Sequence, residues 1–323
     1  MSRPLRFAVQ SYAADTAKEW RDRARRTEAL GYSALHVADH YIGPGPALAA
    51  TNHPIQSIAA VPAMAVAAEV TSTLLIGCRV FCVDYHLPVV LAKELATLDL
   101  FSDGRLEAGL GAGWLQGEYE AIGLPFKPAG QRIQLLSEVI DLLRACFAEG
   151  QVDIDGQFVH AHGFESLPRP VRRPAPPIMI GGGSPKVLRL AGAKADIVSL
   201  NFDNSSGRIG APGVASSTAE QTAAKIGWIR EGAGDRFDDI ELEIAAYFTV
   251  VTDRPDEALA RFSGVLGLPP EELSRHPHVL IGPVGHICEE IERRRETYGV
   301  SYVTVGGASM EDFAPVVERL AGR

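Results

Sequence analysis

Three features of the sequence combine residue types and spacing that could support chemistry. The first is residues 181–184, Gly-Gly-Gly-Ser, which lead into Pro185, a residue suited to the first position of a helix. The N–H groups of glycines and of a helix N-terminus together can bind an anion such as phosphate. The same residues also form ordinary turns between a strand and a helix. The segment therefore indicates a phosphate site, with a plain turn as the alternative.

The second feature is the pair Asp39-His40, and the third is a glycine-rich segment at residues 109–114, GLGAGW. A histidine beside a carboxylate can hold or transfer a proton near neutral pH, although a structural histidine in a loop is the alternative. Glycines let a flat ring approach the backbone, and they also relieve crowding at a rim. The segment does not match the G-x-G-x-x-G pattern, so dinucleotide binding is not expected there.

Composition excludes several classes of protein. The 323 residues include 31 Lys and Arg against 40 Asp and Glu, a formal charge of −9, which argues against nucleic acid as a partner. Hydrophobic residues make up 46% and the mean hydropathy is +0.04, as in a globular protein. The sequence shows no run of about 18 apolar residues for a membrane span and no signal peptide. A cytoplasmic protein without a membrane partner is therefore expected.

Metal binding is not predicted. Two histidine pairs lack both helical i,i+4 spacing and a carboxylate context, and we expect them on the surface or in loops. Four cysteines match no zinc or redox motif. Two of them, Cys78 and Cys82, lie on one apolar segment, and we interpret these two as buried thiols in a reducing cytoplasm. The histidines are His160, His162, His276 and His278, and the cysteines are Cys78, Cys82, Cys146 and Cys288.

The elements that must position these residues alternate along the chain between short apolar segments and helical segments. Eight such repeats predict an α/β fold, a TIM (β/α)8 barrel with insertions, and a doubly wound open sheet is the alternative. We expect one domain over residues 1–323, with insertions near residues 151–177, 201–217 and 252–300. The predicted strands cover residues 5–10, 33–38, 73–83, 105–110, 177–180, 196–200, 240–251 and 301–305. The predicted helices include residues 16–30 with Asp15 as cap, 54–70, 88–101, 131–149 and 310–320, and a hairpin is expected after residue 150.

Three longer segments resemble a known family. They are ARRTEALGYSALHVADHYI, HLPVVLAKELATLDLFSDGRLEAGLGAGWLQGEYEAIGLPF and PIMIGGGSPKVLRLAGAKAD. With them, nearly the whole chain resembles the bacterial luciferase-like superfamily of flavin and deazaflavin oxidoreductases. Within it, the chain is most similar to the actinobacterial group of probable coenzyme F420-dependent oxidoreductases, and the segment VDYHLP with Asp84 adds to this likeness.

The resemblance implies a barrel that carries its cofactor at the carboxyl ends of the strands. The ring would lie against the ends of the second, third and fourth strands, and a non-proline cis peptide is implied at or near Arg79–Val80. The cofactor phosphate would bind after the fifth strand. The implied cofactor-binding residues are Asp39, His40, Arg79, Val80, Ala112, Gly113, Gly181, Gly182, Gly183 and Ser184.

The resemblance also implies an activity, namely hydride transfer between coenzyme F420 and an unidentified small organic substrate. His40 is the expected proton donor or hydrogen-bonding residue, oriented by Asp39. The alternatives are an FMN-dependent luciferase-like monooxygenase and a non-catalytic cofactor-binding member. Related F420-dependent glucose-6-phosphate dehydrogenases have a glutamate where this chain has Trp114, so sugar-phosphate oxidation is not expected. A homodimer through helices near the second and third strands is implied, and the expected substrate-pocket residues are Tyr12, Asp84, Trp114 and Glu118.

Overall fold

The computed structural model describes residues 3–51 and 53–323. Strands alternate with helices over most of this length. The strands are β1 (Arg6–Gln10), β2 (Ala34–Val37), β3 (Leu75–Cys78), β4 (Phe81–Cys82), β5 (Leu106–Gly111), β6 (Gln151–Asp155), β7 (His160–Glu165), β8 (Ile178–Gly182), β9 (Ile197–Leu200), β10 (Glu241–Ala246), β11 (Phe248–Val251), β12 (Val279–Gly282) and β13 (Val300–Gly306).

The helices surround the strands. They are α1 (Ala17–Ala29), α2 (Pro46–Ala49), α3 (Ala60–Glu69), α4 (Pro88–Phe101), α5 (Gln116–Ala121), α6 (Ala129–Phe147), α7 (Pro185–Lys194), α8 (Ala211–Ala215), α9 (Ala219–Ala233), α10 (Pro255–Leu266), α11 (Pro270–Leu273), α12 (Val284–Tyr298) and α13 (Met310–Leu320), with short 3₁₀ turns at Val83–Tyr85, Gly234–Asp239 and Gly307–Ser309.

The central sheet is a closed parallel barrel. Starting at β1, the strands follow the order β2, β3 with β4, β5, β8, β9, β10 and β13, and β13 pairs back with β1. The strands are buried on both faces because helices cover the outside and side chains fill the inside. The predicted TIM barrel is confirmed, and the doubly wound open sheet is wrong because such a sheet would leave two free edges.

Two predicted strands are interrupted. The strand predicted at residues 73–83 divides into β3 and β4 at a cis peptide between Arg79 and Val80, which confirms the position inferred for that bond. The strand predicted at residues 240–251 divides into β10 and β11. β10 stays in the barrel, whereas β11 leaves it and pairs in parallel with β12 of the insertion. Side chains of β11 and β12 form a small apolar cluster with Phe202 and Val214.

Some helices begin at other residues than predicted, because hydrogen bonds of the preceding segment set the first turn. α4 and α13 have the predicted bounds, but α3 begins at Ala60 and not at residue 54, because the N–H of Ser57 donates to the carbonyl of Tyr12. The cap of α1 is Thr16 and not Asp15, since the Thr16 hydroxyl accepts the N–H of Glu19 at 3.1 Å. The segment 201–217 contains the short helix α8.

The expectation that the histidine pairs lie on the surface or in loops is confirmed in part. His160 and His162 are exposed, and His276 and His278 lie in a loop before β12, but the last two side chains are buried. The hairpin of β6 and β7 is confirmed, but its register places an aspartate opposite each of His160 and His162. The carboxylate context that is missing from the linear spacing is therefore present in the fold.

A polar cluster fills the barrel near the amino ends of its strands. Glu107 accepts hydrogen bonds from Arg6 at 2.6 Å, from His36 at 3.0 Å and from the Tyr302 hydroxyl at 2.9 Å. Burial alone would raise the pKa of Glu107, but Arg6 and His36 outweigh burial and hold this pKa well below its ordinary value. Glu107 thus links barrel strands, at the end opposite the carboxyl ends.

Among the residues that the structure describes, no helix is both long and apolar enough to cross a lipid bilayer.

Candidate active site

A cavity of about 530 Å³ opens at the carboxyl ends of the barrel strands. This is where TIM barrels place their functional residues, and the volume is that of a site for a sizeable small molecule. Most of the residues expected at the site from the sequence line this cavity: Tyr12, Asp39, His40, Arg79, Val80, Ala112, Gly113, Trp114, Gly181, Gly182, Gly183 and Ser184.

Asp84 and Glu118 differ from the expectation that they line the substrate pocket. Asp84 is withdrawn beside the cavity, where Lys127 donates to it at 2.7 Å and the hydroxyl of Tyr119 at 3.1 Å. The carboxylate of Glu118 is fully buried behind His40. Both carboxylates act on neighbouring protein groups, because their oxygens are occupied by donors from the loops around the cavity.

The imidazole of His40 is held by Glu118. Its Nδ1 lies 2.6 Å from Oε2 of Glu118, which also accepts the hydroxyl of Tyr85 at 3.0 Å, while Oε1 accepts the N–H of Tyr41. Burial alone would raise the pKa of Glu118, but the hydrogen bonds from these groups outweigh burial and lower that pKa below its ordinary value. An ionised carboxylate only accepts, so Nδ1 of His40 carries a hydrogen and Nε2 is the nitrogen left for a ligand.

Asp39 does not orient His40, contrary to the expectation from their adjacency. The Asp39 carboxylate accepts the N–H of Cys82 at 2.9 Å and Nε2 of His86 at 2.8 Å. Asp39 therefore ties the end of β2 to the turn after β4, and it fixes the wall of the cavity. Adjacent residues at the end of a strand point in opposite directions, which is why Asp39 and His40 have different partners.

His53 is a cavity residue that the sequence did not indicate. Its ring packs on that of His40 with centroids 4.1 Å apart, and both rings lie near Trp114, at 5.8 Å and 6.1 Å. Burial and the neighbouring His40 lower the pKa of His53 to about 4, so it is neutral at neutral pH. Its Nδ1 lies 2.8 Å from the carbonyl of Pro54, which can only accept, so Nε2 is an acceptor. Nothing in the local sequence marks His53, because a loop brings it to His40.

The guanidinium of Arg79 is bound by other side chains of the protein. It pairs with the buried carboxylate of Glu243 at 3.0 Å and donates to Oδ1 of Asn201 at 2.7 Å, while its carbonyl accepts from Gln10 at 2.8 Å. Burial would lower the pKa of Arg79, but Glu243 outweighs burial and raises it. At this position the cavity therefore presents backbone and the side chain of Val80, with the arginine behind them.

The loop between β8 and α7 has the features of an anion site. Ser184 is the N-cap residue of α7 and Pro185 the first residue, and among the described residues the Ser184 side chain makes no capping hydrogen bond. The first N–H groups of α7 thus stay available. A Cβ on Gly183 would lie 2.2 Å from the carbonyl oxygen of Phe202, so only glycine lets this loop pack against the segment after β9.

The glycines after β5 are explained by packing of the protein itself. A Cβ on Gly111 would lie 2.6 Å from Cγ2 of Val80. Gly113 has φ +72°, and its Cβ would overlap the hydroxyl of Tyr119. Of the two reasons expected for these glycines, ring approach and relief of crowding, the contacts within the protein support relief of crowding. The absence of a Cβ at Gly111 leaves room for the side chain of Val80 at the cavity.

Comparison with known proteins identifies the family. The profile of the luciferase-like monooxygenase family matches residues 3–298, which is most of the chain. The chain belongs to this family. The resemblance inferred from the three sequence segments is thereby confirmed.

Relatives in this luciferase-like family use two cofactors. An FMNH₂-dependent dimethylsulfone monooxygenase of Pseudomonas putida is 26% identical over 179 residues, 55% of this chain and 45% of that enzyme. An F420-dependent glucose-6-phosphate dehydrogenase of Kribbella flavida is 29% identical over 258 residues, 77% of this chain and 70% of that enzyme. The chain thus spans about half the length of the Pseudomonas relative.

A solved structure shows the same fold. The coenzyme F420-dependent tetrahydromethanopterin reductase of Methanopyrus kandleri superposes with a TM-score of 0.75 at 18% identity, covering 98% of this chain and 99% of that one. At this identity the likeness concerns the fold alone. The family is one of F420- and FMN-dependent oxidoreductases and monooxygenases.

Proposed function

We propose that this luciferase-like protein binds coenzyme F420 in the cavity and catalyses hydride transfer between F420 and a small organic substrate. The observation that carries the proposal is His40, which is held from behind by Glu118 and shares one cavity with the glycine loop at the N-terminus of α7. A polarised imidazole and an anion site in one cavity suit a phosphorylated cofactor and a proton-coupled reaction.

The cavity residues fit such a cofactor. Residues 181–184 and the N-terminus of α7 would hold its phosphate, and Val80, Ala112 and Gly113 would contact its ring. When bound, F420 supplies the carbon that accepts or donates hydride. His40, with Nδ1–H held by Glu118, would give a proton to, or take one from, a substrate oxygen through Nε2. His53, as a neutral acceptor beside it, would accept a hydrogen bond from the substrate.

The charges of the cavity argue for a substrate without a phosphate group. Among the described lining residues, the side chains with a permanent positive charge are Arg79 and Arg132. Arg79 pairs with Glu243, and Arg132 donates to the carbonyls of Ala112 and Lys127. Both cations are thus occupied by the protein, and the anion site of the α7 loop is assigned to the cofactor. A substrate without phosphate is consistent with Trp114, which stands where the related F420-dependent glucose-6-phosphate dehydrogenases have a glutamate.

An FMN-dependent monooxygenase is the second candidate, favoured by the relative in Pseudomonas putida. Titration of the purified protein with F420 and with FMN, followed by fluorescence quenching, distinguishes the two. We expect saturable binding of F420 with at least about tenfold preference over FMN, and no oxygen consumption. Preference for FMN, with oxygen uptake in the presence of reduced FMN, would establish the second candidate.

Replacement of His40 tests catalysis separately from binding. We expect His40→Ala to bind F420 but to lose about 10²–10⁴-fold in turnover, the usual contribution of a general acid or base. Wild-type turnover in this variant would remove His40 from the reaction. Tight F420 binding without turnover in the wild type, over a panel of alcohols and ketones, would support a non-catalytic member of the family.

We also propose a homodimer and a cytoplasmic location. Leu87, Val90 and Phe101 expose apolar surface on and beside α4, the helix that follows the third barrel strand. Such a patch suits a second copy of the chain. All four cysteines are free and buried, which supports a reducing compartment. The test of the homodimer is light scattering after gel filtration, which should give twice the monomer mass. Phe101→Asp should shift the measured mass toward that of the monomer, and a monomeric wild type would refute the dimer.

A further inference from the structure

The β6–β7 hairpin carries two histidines and two aspartates on its exposed face. The two strands are antiparallel, and the register places Asp153 opposite His162 and Asp155 opposite His160. Directly opposed residues have Cβ atoms about 4.5–5.5 Å apart, and residues two apart on a strand share a face. The four side chains therefore occupy the corners of one small patch.

Donor atoms in this patch converge. Nδ1 of His160 lies 2.8 Å from Oδ1 of Asp155, and Nδ1 of His162 lies 2.6 Å from Oδ1 of Asp153. One ligand atom from each of Asp155, His160 and His162 lies within 4.8 Å of the others. The side chains are 52–78% exposed, so an ion can reach them, and exposed pairs of this kind contribute little stability that an ion would have to replace.

The backbone behind the patch is held firmly. On the opposite face of the hairpin, Val152 and Ala161 are buried in the main core. The turn is fixed by the carboxylate of Glu138 on α6, which accepts the N–H groups of residues 157–159 at 2.7–3.1 Å. A hairpin that is already ordered gathers its ligands with little further loss of conformational entropy.

We propose that Asp155, His160 and His162 bind a divalent transition-metal ion such as Zn²⁺, Ni²⁺ or Cu²⁺. Two imidazoles and one carboxylate suit these ions, whereas Mg²⁺ and Ca²⁺ prefer oxygen ligands. Asp153 orients His162, because its acceptance of Nδ1–H leaves the lone pair on Nε2. Three protein ligands leave a coordination position for water or for a partner's side chain.

The metal site is separate from the proposed cofactor site. Among the described residues that line the cavity, none comes from β6 or β7. The i,i+4 spacing is a criterion for ligands on a helix, and it does not apply to a hairpin. Here His160 and His162 are two residues apart on one strand, and Asp155 lies opposite His160 on the other strand.

Calorimetry and equilibrium dialysis with Zn²⁺, on protein without a polyhistidine tag, test the proposal. We expect one ion per chain at pH 7.5 and weaker binding at pH 5.5, since protons compete for the imidazoles. The double variant His160→Asn with His162→Asn should lose at least about tenfold in affinity, and Asp155→Asn should lose affinity as well. His286→Asn, which changes an exposed histidine on α12, is the matched control and should bind as the wild type does.

A spectroscopic signature distinguishes this site from loose surface binding. With one equivalent of Cu²⁺, the electron paramagnetic resonance spectrum should show hyperfine coupling to two imidazole nitrogens, and the double variant should lose it. Circular dichroism and F420 titration check that the variants fold. Absence of 1:1 Zn²⁺ binding, or equal binding by the wild type and the double variant, would mean adventitious binding only and would overturn the proposal.

Discussion

At the scale of single residues, the candidate site depends on which carboxylate touches His40. The adjacent Asp39 has other partners, and the buried Glu118, 78 residues away along the chain, makes the contact. A buried acceptor behind an imidazole selects the tautomer and fixes the orientation of the ring, so Glu118 is a positioning residue that would act through His40.

Glu118→Gln tests this role. Because the variant keeps the shape but replaces the ionised acceptor by a neutral amide, Nδ1–H of His40 loses its charged partner. We expect turnover with F420 to fall about 10–100-fold, part of the contribution of general acid–base catalysis. The loss should fall on kcat, with little change in KM or in F420 affinity.

The matched control is Glu120→Gln, which changes an exposed carboxylate on the same helix, α5, and should behave as the wild type. A structural role alone would lower the stability of the Glu118→Gln variant and would weaken F420 binding together with turnover. A folded variant with wild-type kcat would therefore contradict the positioning role.

At the scale of elements, the cap of α1 shows how local chemistry sets a helix end. Thr16→Ala removes the hydroxyl that accepts the N–H of Glu19, and we expect the free energy of unfolding to fall by about 1 kcal/mol. Asp15→Ala is the comparison, because Asp15 is the cap that the sequence indicated and the structure does not use. Chemical denaturation of both variants measures the difference; equal losses would argue against Thr16 as the cap.

The loop between β8 and α7 gives a second prediction at this scale. In Gly183→Ala the added methyl would meet the backbone carbonyl of Phe202, which a side-chain rotation cannot relieve. We expect a loss of about 1–3 kcal/mol in stability and weaker F420 binding, measured by denaturation and titration. Gly130→Ala on α6, where a Cβ meets nothing within 4 Å, should leave both unchanged or raise stability slightly. Unaltered F420 affinity in folded Gly183→Ala would argue against a phosphate site in this loop.

At the scale of the whole molecule, the insertion after β11 is attached to the barrel and to α8 through two buried neutral histidines. Nδ1 of His278 lies 2.7 Å from the carbonyl of Ala245 on β10, and Nε2 of His276 lies 3.0 Å from the carbonyl of Val214. Burial lowers the pKa of His276 to about 4 and holds the pKa of His278 well below its ordinary value. Both rings must therefore gain protons when the protein unfolds in mild acid.

The sign of the pH dependence follows from these lowered pKa values. Between pH 6.5 and pH 4 the unfolded chain binds more protons than the folded one, so stability falls as the pH falls through this window. For His276 the loss is on the order of 3 kcal/mol. We expect His276→Gln to flatten the plot of unfolding free energy against pH, measured by denaturant titration from pH 7 to pH 4.5. A slope as steep as that of the wild type would show that other groups cause the acid loss.

The barrel and the rim of the site could be predicted from the sequence. Alternation of apolar strands with amphipathic helices is a local property, and eight such repeats in one chain favour the parallel barrel over an open sheet. Because all carboxyl ends of parallel strands meet at one rim, residues as distant as His40, Ala112 and Gly181 could be placed in one cavity from their positions alone. The three matched segments added the family and the place of the cis peptide.

Only the tertiary structure decided which side chains meet. Glu118 lies behind His40, His53 packs on it, Asp84 is withdrawn by Lys127, and β11 leaves the barrel to pair with β12. The pairing of Asp155 with His160 likewise follows from strand register. The physical reason is common to these contacts: each joins segments whose relative path is set by loop packing and register. Residue type and periodicity, which determine single elements, do not encode that path.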